Sequence, residues 1–205
     1  MSIENKKEDK QGFLKLINQE YTDKEFEELV KYLDLKKLYL NNCKINNIPN
    51  IKSLKVLKLY GTNANIKGCK QLEVLSLNNV KIKSLTRFYK LKFLFIRNNS
   101  EIDCVYGLNV SKLIEISESN ILSISNIETK DFRIRCSIVT CIEYVFNTEY
   151  VLMCKSWLGV VDHFTNVEYY NKDDCKGPFK TNVKDIKKDL LYRFNRYRHI
   201  QTRFK

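Results

Sequence analysis

The chain has 205 residues, 43% of them hydrophobic, a mean hydropathy of −0.39 and a formal net charge of +12. No run of eighteen or more apolar residues occurs, the opening MSIENKKEDKQG has no apolar leader-like core, and Pro and Gly are scarce. These features argue against a transmembrane helix, a secreted precursor or a largely disordered chain, and predict a cytoplasmic protein. Lys, Asn and Ile, whose codons are A/T-rich, are abundant, so part of the basic balance reflects nucleotide composition rather than a binding need.

In chain order, residues 1–12 read as a disordered polar tail and 13–34 as a helical cap. Thr22-Asp-Lys-Glu25 is a capping box, followed at helical spacing by Phe26, Leu29, Val30 and Leu33. An earlier helical turn is expected around Phe13, Leu16 and Ile17.

From Leu35 a pattern repeats. LKKLYLNNCKINNI (35–48), LKVLKLYGTNANI (54–66), LEVLSLNNVKIKSL (72–85) and LKFLFIRNNSEI (91–102) each place apolar residues at positions 1, 4 and 6. Positions 4 and 6 alternate with polar ones, as in a half-buried strand, and a further apolar residue (Ile45, Ala64, Ile82) follows. Fainter copies start near Ser111, Thr129 and Asn147, the last with Tyr150, Leu152, Trp157 and Val160 in its core slots. An eighth is placed around Phe164, Val167 and Tyr169. A period of 18–19 residues signals a solenoid over 35–170, with about seven repeats, the first four clear.

The pattern resembles the leucine-rich repeat family, whose motif is L-x-x-L-x-L-x-x-N/C-x-L. The resemblance is strong over 35–102 and weak over 103–170. It implies an α/β solenoid, a curved parallel β-sheet with short convex segments, capped by N- and C-terminal helices. The motif's Asn/Cys position falls here on Cys43, Thr62, Val80 and Asn99, and Val80 cannot make the inter-turn bond. In composition and repeat length the chain is similar to the leucine-rich repeat proteins of large insect poxviruses, which implies a viral protein acting in host cytoplasm.

Residues 171–205 read as a turn and a basic amphipathic helix from 181, with Val183, Ile186, Leu190, Phe194, Tyr197, Ile200 and Phe204 on one face. From Lys180 onward nine lysines and arginines face two aspartates, more than half the net charge of the chain. Such a helix suits an end cap. Through Lys187, Lys188, Arg193, Arg196, Arg198 and Arg203 it also suits nucleic acid, an acidic partner or an anionic membrane surface.

No motif supports catalysis, a cofactor or a metal. The histidines are His163 and His199, there is no C-x-x-C, and no glycine-rich phosphate loop occurs. Asp162-His163 are sequence neighbours and cannot orient an imidazole as a triad requires, and Asp173-Asp174 read as a solvated turn. The seven cysteines read as reduced structural thiols, Cys136 and Cys154 stacking as neighbours on adjacent repeats. The variable strand positions 3, 5 and 7 are the expected contact surface. There Tyr39, Tyr60, Phe93, Phe95, Arg97, Arg133 and Arg135 form an aromatic–arginine face of the kind that dominates protein interfaces. The expectation is a non-enzymatic scaffold binding an unidentified partner protein, a host protein if the chain is viral.

Overall fold

The computed structural model describes residues 7–9, 12–66, 68–86, 88–165, 167, 169–177 and 181–183. Its strands are β1 (Lys7–Asp9), β2 (Phe13–Ile17), β3 (Lys37–Asn41), β4 (Val56–Tyr60), β5 (Val74–Asn78), β6 (Lys81–Thr86), β7 (Phe93–Arg97), β8 (Glu101–Ser117), β9 (Asn120–Arg135), β10 (Ile138–Phe146), β11 (Tyr150–Cys154), β12 (Trp157–Thr165), β13 (Tyr169–Asp173) and β14 (Thr181–Val183). Among the described residues one helix, α1 (Asp23–Val30), lies between β2 and β3. The chain is a parallel β-solenoid and mostly strand, rather than the α/β arrangement expected.

Stacking follows from the repeat, because one turn cannot bury its own apolar residues and its neighbours must do so. A front sheet runs β2-β3-β4-β5-β7, then the second halves of β8 and β9, then β11 and β13. Its register aligns Leu14, Leu38, Leu57, Leu75, Leu94, Ile114, Phe132 and Val151 in one buried row. Two residues on, Leu16, Leu40, Leu59, Leu77, Ile96, Ile116, Ile134 and Met153 form a second row. The odd positions point outward.

The convex side is more regular than short connecting segments. From the third repeat onward, β6, the first halves of β8 and β9, β10, β12 and β14 form a parallel back sheet. Every third residue faces in: Ile102, Val105 and Leu108; Ile121, Ile124 and Ile127; Val139, Ile142 and Val145; Leu158, Val161 and Phe164. A left-handed residue, Gly107, Asn126 or Tyr144, stands at matching places in three of these strands, which kinks the backbone and displaces the ordinary two-residue alternation.

The corners that follow the front strands are built alike. A left-handed residue comes first: Asn18, Asn42, Gly61, Asn79, Glu118, Cys136, Lys155 or Asp174. A buried hydroxyl or thiol follows in five of them, Cys43, Thr62, Ser119, Ser137 and Ser156, and Ser100 serves the turn of β7. Thr62 Oγ1 accepts the Cys43 N–H at 3.0 Å, Ser100 Oγ that of Val80 at 3.4 Å, Ser137 Oγ that of Ser119 at 3.3 Å and Ser156 Oγ that of Ser137 at 3.2 Å. Each of these hydroxyls donates to a carbonyl of its own turn. The column therefore uses Ser100, not Asn99; Asn99 is exposed with φ 59°.

Further expectations are corrected. Phe13, Leu16 and Ile17 belong to strand β2, not a helical turn, so the solenoid begins before Leu35. Helix α1 does carry the capping box, with Thr22 N–H to Glu25 Oε2 at 2.8 Å and Glu25 N–H to Thr22 Oγ1 at 3.3 Å. It sits within the first turn, burying Phe26 and Val30, instead of covering the end. Of the expected tail, Lys7–Asp9 pair antiparallel with β2.

The seventh repeat is displaced by one residue: Val151, Met153, Leu158 and Val161 are buried, while Tyr150 and Leu152 are half-buried and Trp157 and Val160 are exposed. A one-residue slip exchanges the two faces of a strand. At the far end Tyr169–Asp173 and Thr181–Val183 are strands, not a turn and a helix start; residues 184–205 lie outside the described residues.

Candidate partner-binding surface

Tyr39, Tyr60, Phe93, Phe95, Arg97, Arg133 and Arg135 all stand on the outer face of the front sheet, as the alternation requires. The sheet does not bring them into one patch. In the register, Ser76 sits between Lys58 and Phe95, and Asn78 between Tyr60 and Arg97. Ser76 is only 8% exposed, so short side chains make a notch between two raised clusters.

The first cluster is centred on Tyr39. Phe13 meets its ring edge-on at 4.7 Å between centroids, and the Lys58 ammonium lies 4.6 Å from it. Tyr60 stands on the neighbouring strand, half-buried. Phe13 was not among the expected site residues, because α1 lengthens the first turn and hides β2 from a search at the 18–19-residue period.

The second cluster is larger. The Phe93 and Phe95 rings lie 6.1 Å apart with planes only 6° from parallel. The Arg97 guanidinium is 4.5 Å from the Phe95 ring, and the Lys112 ammonium 5.5 Å from that of Phe93. Arg97 is held from the next turn by Glu115, with Nη2 at 2.8 Å and Nε at 3.0 Å from Oε1. One further turn on, Arg133 Nε donates to Asp131 at 2.8 Å, and its guanidinium lies 5.6 Å from Tyr150. The Asp131 hydrogen bond holds Arg133 above its usual pKa, and burial pushes Tyr150 up. Arg135 is exposed, with no carboxylate at ion-pair distance among the described residues.

Glu115, Asp131, Lys112 and Tyr150 were also missed as members of the surface. Glu115 occupies the variable position 5 of the repeat that starts at Ser111, and that position was the available signal. Tyr150 was hidden by the displaced seventh frame.

The other candidate residues are dispersed. His163 lies on β12, and Asp173 and Asp174 stand at the exposed end of β13. No group of three or more potential metal ligands exists among the described residues. All seven cysteines are free; Cys136 N–H donates to the Cys154 carbonyl at 3.0 Å, but Cys154 pairs in register with Arg135, one position off the expected stack. Burial pushes the Cys69 thiol up to about 12. Lys187, Lys188, Arg193, Arg196, Arg198 and Arg203 lie outside the described residues. Among those described, no helix is long and apolar enough to cross a membrane.

Comparison of the chain with protein-family models, with curated proteins and with solved structures finds no match.

Proposed function

We propose that the chain is a non-enzymatic scaffold of the leucine-rich repeat kind that binds a partner protein across its front sheet. The observation that carries this reading is the Phe93–Phe95–Arg97 cluster with Glu115 fixing the arginine. Aromatic rings and arginine supply most of the energy in protein interfaces, and side chains already held in place lose less entropy on binding. The Ser76 notch beside the cluster offers a recess for a projecting partner side chain, flanked by rings on either side.

The test replaces Phe93, Phe95 and Arg97 together by Ala and compares protein captured by the variant and the parent from host cytosol. Loss of a specific captured protein, with circular dichroism unchanged, supports the reading; undiminished capture sinks it.

The alternative reading is a basic module in which Lys187, Lys188, Arg193, Arg196, Arg198 and Arg203 contact nucleic acid or an anionic membrane. It is supported by the concentration of positive charge after Lys180. Binding of this kind weakens steeply with added salt and disappears when Lys187, Lys188, Arg196 and Arg203 are neutralised.

A further inference from the structure

The outward positions of β2–β5 carry Lys15, Lys37 and Lys58 and no Asp or Glu. None of the three lysines has a carboxylate at ion-pair distance among the described residues. The acids nearest to them are matched by other lysines. Asp34 lies 4.0 Å from Lys36, Glu20 lies 3.0 Å from Lys44, and Glu73 is shared by Lys55 and Lys92. At the sheet edge β1 brings Lys7 into register with Lys15 and Asp9 with Phe13, one charge of each sign, while Glu8 meets the inward Leu14. Beyond the Ser76 notch, Arg97 and Arg133 have carboxylates of their own in Glu115 and Asp131, although Lys112 and Arg135 do not.

The three lysines surround one ring. Lys15 and Lys58 are register partners of Tyr39 on its two sides, and Lys37 precedes it by two residues on its own strand. At ordinary strand spacings their Cα atoms stand about 8–10 Å from one another. Like charges gathered on one face repel, and a negatively charged partner removes that cost. Alternate residues of an extended segment point the same way at about 7 Å intervals. Acidic side chains at every second position therefore come within reach of these long, flexible lysines. A nucleic acid running on over the sheet meets Glu115 and Asp131, whereas a protein can offer each half a surface of different charge.

On the reading that the front sheet binds a partner protein, we propose that the partner lays an acidic segment across β2–β4. Alternate carboxylates of that segment pair with Lys15, Lys37 and Lys58, and the side chains between them pack beside Phe13 and Tyr39.

The probe is a fluorescein-labelled peptide alternating glutamate and threonine, titrated with the full chain and followed by anisotropy. Saturable binding that weakens with added salt is expected. Replacing Lys15, Lys37 and Lys58 together by Gln weakens it roughly tenfold or more, with circular dichroism unchanged. Removing the same charge by Lys36→Gln, Lys44→Gln and Lys55→Gln, all ion-paired, leaves the affinity nearly unchanged. Absence of saturable binding overturns the proposal, as does equal binding of the peptide with glutamine in place of glutamate. Equal weakening in the two lysine variants reports only net charge and overturns it too. Oligothymidylate that binds more tightly than the peptide, and is lost in the first variant, assigns the lysines to nucleic acid instead. The titration contains no partner protein, so its failure is distinct from undiminished capture by the Phe93, Phe95 and Arg97 variant, which sinks the front-sheet reading itself.

Discussion

Glu115 holds Arg97 from the next turn at 2.8 Å, and this ion pair keeps the guanidinium over the Phe95 ring. The contact follows from register: Phe95 pairs with Glu115 while Arg97, two residues along, reaches diagonally to it. Removing the carboxylate leaves Arg97 in place in the sequence but free to leave the ring. Glu115→Gln is expected to weaken partner binding by roughly 1 kcal/mol, largely through faster dissociation, with little loss of fold stability because the pair is partly solvated. Surface-bound kinetics beside a thermal melt check this. Unchanged dissociation would show that the cluster is not used.

The corner column makes a stability prediction. Thr62 Oγ1 is the acceptor for the buried Cys43 N–H, at 3.0 Å. Thr62→Val keeps shape and volume but leaves that donor unsatisfied, which costs about 1–3 kcal/mol. Chemical denaturation with an unchanged slope and a lower midpoint is the expected result.

Left-handed corners predict the opposite sign elsewhere. Glu118 (φ 50°) and Lys155 (φ 50°) occupy the corner position that Asn18, Asn42 and Asn79 fill in other turns, and both are exposed. Asparagine tolerates this conformation, whereas most side chains lose about 1–2 kcal/mol there. Glu118→Asn and Lys155→Asn should each raise the denaturation midpoint, and the two gains should add, since the sites are two turns apart.

Gly159 is required for a different reason. A Cβ built there would lie 2.1 Å from the Thr140 carbonyl oxygen on the neighbouring strand. Gly159→Ala must part β10 and β12, at a loss of about 1–3 kcal/mol, and hydrogen exchange should show faster opening of these strands in particular.

Thiol chemistry tests burial and pH together. The Cys69 thiol, 2% exposed, is pushed up to about 12 by burial. Because the folded value is raised above the ordinary one near 9, the stability linked to this group is fully present below about pH 9. It is lost as the pH rises toward 12. At pH 8 alkylation should therefore mark exposed Cys136 quickly and Cys69 only after unfolding. Rapid labelling of Cys69 in the native chain would contradict its place in the core.

The front sheet was legible in the sequence because its alternation is simple: Leu38 and Leu40, Leu57 and Leu59, Leu75 and Leu77 mark inward positions without ambiguity. The back sheet was not, because Ile102, Val105 and Leu108 recur every three residues, a spacing that matches neither an alternating strand nor a helix. The seventh repeat slipped for another reason. Its first position is a buried polar residue, Thr148, so no leucine marked the frame, and Tyr150 with Leu152 imitated the pattern one residue early. Phe13 was missed because its register partner Lys37 stands 24 positions further along the chain, with α1 between them.

By itself the amino-acid order determined that the chain stacks in turns and which face of each front strand carries variable residues. Periodic burial is a local property, set by which side chains avoid water. Only the tertiary structure decided what stands beside what across turns. Glu115 meets Arg97 and Phe13 meets Tyr39, while Lys15 and Lys58 come to stand on either side of Tyr39. Residues a full repeat apart become neighbours at about 4.8 Å once strands pair in register. That register depends on corners, bulges and an inserted helix, whose effects add up along the stack and cannot be read from any one repeat.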